Sequence, residues 1–323
     1  MTTAHRQQAK ARRSEGPRRA RGPRSPGRVA PRGAAEAGSQ PAGTLELPFE
    51  RWGRAVAPPL LLLHGFTGNR SSWRHLEPLL GGAVHAIAVD LPGHGEAPLP
   101  SGLGPAGFEE ALAALERTID ESGAGQVSVL GYSQGARLAL GLALRAPGKV
   151  SRLILESVNP GLIQPKERRV RLRDDEALAS KIVRVGVERF LKTWEALPLF
   201  EGLRALPPEA QEALHRRRAS ARPEGLAGAL RCLGLASQPS YWDRLPRLRL
   251  PVLLLTGRRD LKFTELSRRA MRELPLAWHH AFDACHHAPH LEVPVEYAAE
   301  VRAFLDVPWS EAERGQRLEE LGR

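Results

Sequence analysis

A chain of 323 residues with 42% hydrophobic residues can bury a sizeable core, and no apolar run in it approaches the length of a membrane-spanning helix. Its two cysteines, Cys232 and Cys285, exclude a disulfide framework and favour a reducing, cytoplasmic setting. The formal net charge of +11 would suit a nucleic-acid partner. Residues 1–44, however, hold ten Lys and Arg against two Glu and so carry a net of +8. We therefore do not expect the residues after 44 to bind nucleic acid.

The first 44 residues form the basic arm that this charge distribution indicates. They are rich in Pro, Gly, Ala and Arg and show no apolar periodicity, so we expect them to be disordered. We interpret the arm as a solvated extension, with a contact to nucleic acid or another anionic surface and an organelle transit peptide as the alternatives. Its proline spacing argues against the amphipathic helix of a transit peptide, and no apolar segment follows the arginines as an export signal would require.

The segment after the arm begins with weak strand patterns and then reaches a clear one. Leu45 to Ala57 contains short alternating apolar stretches that predict an edge hairpin. Pro59 to Leu63 is a continuous apolar run, which is the pattern of a buried parallel strand. Ser71 and Ser72 are placed to cap a helix over residues 73–80. Strand, loop and helix therefore follow one another from the start of the globular part.

Strand and helix patterns continue to alternate further along the chain. Val84 to Val89 and Leu153 to Leu155 are apolar runs typical of buried strands, and Phe108 to Ile119 has the spacing of an amphipathic helix. This alternation predicts a doubly wound, mostly parallel sheet with helices on both faces. A ligand of such a sheet binds at the carboxyl ends of its strands.

A strand pattern passes straight into an alanine- and leucine-rich helix pattern through Gly131-Tyr132-Ser133-Gln134-Gly135. G-x-S-x-G between a strand and a helix is the nucleophile elbow of an α/β-hydrolase fold, in which small residues allow a sharp turn that exposes the serine hydroxyl. Ser133 is therefore the predicted nucleophile, and the backbone N–H of Gln134 is the first predicted oxyanion donor. The glycine-rich loop over residues 64–69 follows the first buried strand, where this fold supplies the second donor, which we assign to the backbone of Phe66.

The pattern changes from Asn159 to Ser240, where strand-like runs disappear and charged residues become frequent. Helical periodicity over residues 176–196 and 209–235 predicts a helical cap inserted over the elbow. The cap is rich in arginine, and most of these side chains should be solvated. An arginine on its inner face, however, would suit a carboxylate of the ligand.

Two last strand patterns place the remaining members of a catalytic triad. Pro251 to Leu255 ends shortly before Asp260, and Leu276 to Phe282 ends shortly before His287. The order serine, aspartate, histidine, with the acid and the base each just beyond a strand, is the chain order of an α/β-hydrolase triad. In such a triad the histidine takes the serine proton, while the aspartate holds the imidazole and stabilises its cation.

The acid of the triad has three competitors. Asp90 lies before the serine in the chain, no strand pattern precedes Asp243, and Asp283 is too close in sequence to the histidine. We therefore favour Asp260, which follows a strand and lies between the serine and the histidine.

The base lies in a segment with several histidines, and His286 and His290 are the alternatives to His287. A metal-binding cluster is a further interpretation of five histidines: His279, His280, His286, His287 and His290. We expect no metal site, because His279 and His280 would point to opposite faces of a strand and no pair of carboxylates accompanies them. We expect Cys285 to be a bystander rather than a reactive thiol.

These patterns divide the chain into five segments. We predict the basic arm at residues 1–44, a first part of the α/β-hydrolase core at 45–158, the helical cap at 159–240, a second part of the core at 241–308 and a polar tail at 309–323. The active site of such an arrangement lies between the core and the cap.

Several segments of the chain together carry a resemblance to one family of this fold. The main ones are LHGFTG from Leu63, DLPGHG from Asp90, GYSQGAR from Gly131, ERR from Glu167 and the run from His287 to Pro294. Through them, residues from about Pro59 to Leu305 resemble the 2-succinyl-6-hydroxy-2,4-cyclohexadiene-1-carboxylate synthases of menaquinone biosynthesis. The first loop and the elbow are shared with many hydrolases, whereas the arginine after the elbow, the cap arginines and Asp260-Leu261-Lys262-Phe263 are more specific to this family.

The resemblance implies a lyase rather than a hydrolase. In this family the triad serine acts as a base on 2-succinyl-5-enolpyruvyl-6-hydroxy-3-cyclohexene-1-carboxylate, so that pyruvate leaves by a 2,5-elimination and 2-succinyl-6-hydroxy-2,4-cyclohexadiene-1-carboxylate forms. The resemblance further implies a small polycarboxylate substrate and neither a metal nor an organic cofactor, and the match from His287 to Pro294 supports His287 as the base. The residues that would bind this substrate are Tyr132, Arg137, Arg171, Trp194 and Arg218.

A serine hydrolase that acts on an ester or a carbon–carbon bond is the alternative function, because it would share every residue of the triad. Arg137, Arg171 and Arg218 distinguish the two functions. If these arginines converge on the serine, a polyanionic substrate is favoured, and if they face solvent, the hydrolase is favoured.

Overall fold

The computed structural model of the protein describes residues 44–308. The predicted basic arm, apart from Thr44, and the predicted polar tail at 309–323 lie outside the described residues. Within residues 44–308, no helix has both the length and the apolar character needed to cross a membrane.

Seven strands form one sheet at the centre of the structure. They are β1 (Phe49–Gly53), β2 (Pro59–Leu63), β3 (His85–Val89), β4 (Val127–Tyr132), β5 (Val150–Glu156), β6 (Val252–Gly257) and β7 (Ala277–Phe282). Their order across the sheet is β1-β3-β2-β4-β5-β6-β7, and every neighbouring pair is parallel except β1 and β3. The predicted mostly parallel sheet is therefore confirmed.

Helices cover both faces of this sheet and build the cap. They are α1 (Glu77–Leu80), α2 (Pro105–Glu121), α3 (Gln134–Arg145), α4 (Pro165–Val185), α5 (Val187–Trp194), α6 (Pro208–Ala219), α7 (Pro223–Leu233), α8 (Leu261–Glu273), α9 (Pro289–Glu292) and α10 (Pro294–Asp306). Helices α2, α3 and α8 pack against one face of the sheet, and α1 and α10 pack against the other. Helices α4 to α7 form the cap, with a small apolar core of their own.

Successive residues of β2 point into two different cores. Leu61 and Leu63 belong to the apolar cluster beneath α2 and α3, whereas Leu60 and Leu62 belong to the cluster beneath α1 and α10. Because side chains alternate across a strand, a strand that is buried on both faces is apolar at every position. This explains the continuous apolar run in the sequence, and the doubly wound arrangement is confirmed.

The predicted edge hairpin over residues 45–57 is wrong. The segment contributes one strand, β1, which pairs antiparallel with β3 so that Phe49 lies opposite Val89 and Gly53 opposite His85. Before β1, Leu45 is buried in the core and is not part of a second strand. The alternating apolar residues therefore reflect contact with a strand that is distant in the sequence.

The predicted serine cap of the first helix is also wrong. The chain forms a 3₁₀ helix from Arg70 to Leu76 before α1, and its cap is Asn69. The Asn69 side chain accepts a hydrogen bond from the Ser71 N–H, and the Ser72 hydroxyl accepts one from the Asn69 N–H. The two bonds form a reciprocal capping box, whose cap residue lies two residues before the first predicted serine.

The helices of the cap differ from the two predicted ones, at 176–196 and 209–235. In place of the first predicted helix, α4 begins at Pro165 and ends at Val185. Gly186, with a φ of 79°, interrupts the helix, and α5 follows it. The second is divided because α7 begins at Pro223, at a position where the missing N–H of proline costs no helical hydrogen bond. The predicted domain boundaries at 159 and 240 enclose these four helices and stay predictions.

Gly135 marks the closest approach of α3 to β2, because a Cβ atom at this position would overlap the carbonyl oxygen of Leu63. We expect Gly135→Ala to lower the free energy of unfolding by about 1–3 kcal/mol, the usual cost of overpacking, as measured by urea denaturation. Gly148→Ala is the matched control, because a Cβ atom there meets no atom within 4 Å, and its effect should stay within about 0.5 kcal/mol. Equal stability of the two variants would contradict this close packing.

Candidate active site

The turn between β4 and α3 places Ser133 at the carboxyl end of the central strand. Ser133 has φ 51° and ψ −104°, a conformation that is strained for a residue other than glycine. Its N–H donates a hydrogen bond of 2.8 Å to the carbonyl of Glu156 at the end of the neighbouring strand. The turn is thus held by the sheet, and the serine side chain points away from it into a pocket.

Ser133, His287 and Asp260 form one hydrogen-bonded chain. The Ser133 hydroxyl lies 3.0 Å from His287 Nε2, and His287 Nδ1 lies 2.6 Å from Asp260 Oδ2. Because an ionised carboxylate only accepts, the proton of the imidazole belongs on Nδ1, which leaves Nε2 to accept from the serine. The side chains of His287 and Asp260 are 3% and 5% exposed, so the hydrogen bond between them is shielded from solvent. The geometry suits a serine oxygen that gives up its proton to histidine.

The loop that carries His287 is fixed by hydrogen bonds to its backbone. The two oxygens of the Glu292 carboxylate accept from the N–H of His286, at 2.8 Å, and from the N–H of Ala288, at 3.1 Å. The Ser157 hydroxyl donates to the carbonyl of His287 at 3.0 Å. The peptide groups on both sides of the histidine are therefore clamped, and sequence reasoning did not find this role for Glu292.

The other histidines of the sequence cluster have separate partners. His286 lies beside Glu292, and of the two adjacent histidines it is His287 that faces the serine. His290 bonds the buried Glu156 at 2.8 Å, and His279 bonds Thr256 at 2.8 Å. Within residues 44–308, no group of three or more His, Cys, Asp or Glu side chains is arranged to hold a metal ion.

The two predicted oxyanion donors come from the loop after β2 and from the start of α3. Gln134 is the first residue of α3, so its N–H has no partner within the helix. Phe66 lies in the loop after β2, within a turn closed by a 3.0 Å hydrogen bond from the Gly68 N–H to the Gly65 carbonyl. In the described part of the chain, neither the Phe66 N–H nor the Gln134 N–H donates to another backbone group. Both residues line the same pocket as Ser133.

This active-site pocket has a volume of about 390 Å³ and lies between the core and the cap. Nine of the ten predicted site residues line it, and Asp260 lies behind His287. The nine residues are Phe66, Tyr132, Ser133, Gln134, Arg137, Arg171, Trp194, Arg218 and His287. Residues that the sequence reasoning left without a role also line it, and they are Asn159, Asp174, Asp175, Phe200, Lys262 and Phe263.

Arg137 and Arg218 are the two buried members of the three predicted arginines. Arg137 is buried on α3, and its guanidinium donates at 3.2 Å to the side-chain oxygen of Gln238. Gln238 in turn donates to the carbonyl of Asn159 at 3.1 Å, which fixes its orientation. Burial and the neighbouring Arg171 lower the pKa of Arg137 to about 9, so the side chain is still cationic at neutral pH.

The other two arginines are each paired with a carboxylate of the cap. Arg171 Nε donates to Asp175 at 2.8 Å, and burial raises the pKa of this carboxyl group. Arg218 pairs with Glu195 at 3.1 Å and lies over the ring of Phe200, 5.2 Å from its centroid. The ion pair of Arg171 and Asp175 could be predicted from their i,i+4 spacing on a helix. The partners of Arg137 and Arg218 could not, because they are distant in the sequence.

Aromatic side chains form the apolar wall of the pocket. The Trp194 ring lies 5.4 Å from Phe66 and 5.5 Å from Phe200, and the Tyr132 ring lies 5.4 Å from His287. Cations beside an apolar wall suit a ligand that combines carboxylates with a hydrocarbon ring.

We expect Glu292→Gln to slow the reaction of Ser133 with a fluorophosphonate, a serine-directed covalent reagent, by about 10- to 100-fold. An amide has one accepting oxygen instead of two, so one peptide group beside His287 loses its bond, and a small displacement of a catalytic group has effects of this size. The labelling rate is measured beside the thermal midpoint, because loss of fold would lower both. Glu296→Gln on the exposed side of α10 is the control, and equal labelling rates in both variants would refute this role of Glu292.

Comparison with known proteins agrees with this fold. Residues 60–300 match the family model of the Alpha/beta hydrolase family. The solved structure of MenH from S. aureus has a TM-score of 0.75 and 31% sequence identity, with 80% of this chain and 97% of that chain covered. A thermophilic esterase from Thermogutta terrifontis has a TM-score of 0.68 and 27% identity, with 81% and 93% covered.

Two curated relatives share one name. The chain is 34% identical over 253 residues to the putative 2-succinyl-6-hydroxy-2,4-cyclohexadiene-1-carboxylate synthase of Bacillus subtilis, with 78% of this chain and 92% of the relative covered. It is 32% identical over 260 residues to the synthase of that name from Serratia proteamaculans, with 79% and 96% covered. The chain therefore belongs to the alpha/beta hydrolase family and, within it, to the family of 2-succinyl-6-hydroxy-2,4-cyclohexadiene-1-carboxylate synthases.

Proposed function

We propose that the protein is a lyase that eliminates pyruvate from 2-succinyl-5-enolpyruvyl-6-hydroxy-3-cyclohexene-1-carboxylate and forms 2-succinyl-6-hydroxy-2,4-cyclohexadiene-1-carboxylate. The observation that carries this proposal is the pocket in which Ser133 lies beside Arg137, Arg171 and Arg218. A substrate with several carboxylates suits three cations around one base. The names of the relatives support the same reaction.

The proposed reaction begins with proton transfer from Ser133 to His287 Nε2. The serine oxygen removes the proton at C2 of the substrate ring, and the electrons of that C–H bond form the C2–C3 double bond. The electrons of the existing C3–C4 double bond move to C4–C5, and the C5–O bond to the enolpyruvyl group breaks with its electrons going to oxygen. The leaving enolate takes up at carbon the proton that the His287 imidazolium gives back, and becomes pyruvate. Asp260 stabilises the imidazolium that forms, because its carboxylate lies 2.6 Å from Nδ1 in a buried site.

The predicted oxyanion donors have a defined task in this reaction. Removal of a proton next to a carbonyl places negative charge on the carbonyl oxygen, and the N–H groups of Phe66 and Gln134 would stabilise that charge. Both N–H groups lack a backbone partner in the described residues, so neither has to break a backbone bond first. No metal or organic cofactor takes part in this proposal.

We propose a cytoplasmic small-molecule enzyme without a nucleic-acid partner. Cys232 and Cys285 are both free and buried, which suits a reducing compartment. The reaction uses a water-soluble polyanion and needs no membrane contact.

A serine hydrolase is the alternative function, favoured by the similarity to the Thermogutta terrifontis esterase. The same Ser133–His287 hydrogen bond would serve nucleophilic attack on an ester. The paired arginines oppose this alternative, because an esterase of neutral substrates gains nothing from three buried or half-buried cations in its pocket.

The first test of the proposed lyase is pyruvate release from its substrate by wild type and by Ser133→Ala. We expect kcat to fall by about 10³-fold or more in the variant, because the proton acceptor is lost. Ser128→Ala, at the far end of the same strand, is the control and should retain wild-type activity. No pyruvate release by the wild type, together with hydrolysis of a simple aryl ester, would reject the lyase and favour the hydrolase.

A second test concerns charge recognition. We expect Arg137→Gln to lower kcat/KM by about 100-fold or more, because a desolvated partner of a substrate carboxylate is removed. Arg145→Gln, on the same helix but ion-paired at the surface, should leave kcat/KM within about twofold. If both variants keep wild-type kcat/KM, Arg137 does not bind substrate.

A further inference from the structure

A second, small cavity adjoins the loop over residues 64–68 that carries Phe66. Its volume is about 20 Å³, which is enough for one particle of roughly the size of a water molecule or a small ion. This side cavity shares Phe66, Tyr132 and Arg218 with the active-site pocket, so whatever binds there lies close to the oxyanion loop.

Three residues that line the side cavity carry a buried donor atom with no partner among the described residues. These atoms are Thr67 Oγ1, Trp73 Nε1 and Arg217 Nε. Thr67 and Trp73 are each only 1% exposed, so bulk water does not satisfy them. An indole N–H and a guanidinium can only donate, and a hydroxyl can donate as well, so the cavity favours a particle that accepts hydrogen bonds.

The charge of Arg217 has no counterion in the described residues. Its neighbours are paired, Arg216 with Glu212 and Arg218 with Glu195, whereas Arg217 forms no ion pair within residues 44–308. No Asp or Glu lines the side cavity. Burial and the adjacent Arg218 lower the pKa of Arg217 to about 10, so it is still cationic at neutral pH.

The histidines around the side cavity supply neither a second cation nor an anion. Burial lowers the pKa of His64 to about 4 and that of His290 to about 3, so both are neutral at pH 7. His64 is already satisfied, because Nδ1 donates to the Gly65 carbonyl at 2.8 Å and Nε2 accepts from the Leu91 N–H at 3.0 Å. The net local charge therefore comes from the arginines.

We propose that the side cavity binds a small monovalent inorganic anion of the size of chloride, held by Arg217, Thr67 and Trp73. An anion compensates a half-buried guanidinium, which water does not. A cavity of about 20 Å³ is too small for a carboxylate-bearing substrate. The bound anion would connect α6, which carries Arg217, to the loop over residues 64–68 and so fix the position of Phe66. The site does not depend on the proposed reaction.

The test is thermal unfolding of the full chain in sodium chloride or sodium gluconate at constant ionic strength. An anion that binds only the folded state raises the midpoint, and we expect an increase of about 2–4 °C in chloride for the wild type. Arg217→Gln should lose this increase. Arg216→Gln, which removes the same charge from an exposed position of the same helix, should retain it and thereby controls for general salt effects.

Anomalous diffraction from crystals soaked in sodium bromide gives a second measurement that needs no variant. We expect one bromide peak within hydrogen-bonding distance of Arg217 Nε, and no peak there in crystals of Arg217→Gln. A water molecule at this position in bromide, or equal chloride effects on the midpoints of all three proteins, would overturn the proposal. Neither readout requires activity, so its failure is distinct from failure of the proposed lyase.

Discussion

The sharp turn at Ser133 is the constraint on which the site depends. A residue other than glycine with φ 51° costs about 1–3 kcal/mol, and it persists only where its surroundings hold it. Here the surroundings are the hydrogen bond from the Ser133 N–H to Glu156 and the close approach of α3 permitted by Gly131 and Gly135. The same turn exposes the hydroxyl and starts α3, which leaves the Gln134 N–H without a partner in the helix. One local conformation thus positions both the proposed base and a proposed oxyanion donor.

The pocket adds to this turn a set of cations whose positions are fixed before any ligand binds. Each arginine is held by a partner, Gln238 for Arg137, Asp175 for Arg171 and Glu195 for Arg218, and these partners lie on or next to the cap. An unpaired buried guanidinium would be costly, so the pairs lower the cost of burial and also fix the geometry. Because two of the partners are carboxylates, the carboxylates of the proposed substrate would share these arginines, and binding strength would depend on orientation more than on total charge.

The sequence predicted those features that depend on short segments. The strands follow from continuous apolar runs such as Pro59 to Leu63, and the triad follows from the order of three residues beyond strands. The edge hairpin was wrong because β1 pairs with β3, a contact that no local pattern encodes. For the same reason, no local pattern predicted Gln238 and Glu195 as partners of Arg137 and Arg218. Glu292 lies only five residues from His287, yet its role depends on how the loop folds back, which spacing alone does not show.

The division between core and cap explains how one triad can serve two chemistries. The core supplies a serine oxygen 3.0 Å from His287, and this pair can attack a carbonyl carbon or remove a proton. Which event occurs depends on the substrate atom that the pocket places against the oxygen. In the proposed reaction, arginines on two sides of the pocket hold the carboxylates and the aromatic wall holds the ring, so the oxygen meets a C–H bond. The choice between elimination and hydrolysis is then made by orientation, which the cap controls, while the hydrogen-bonded triad itself needs no change.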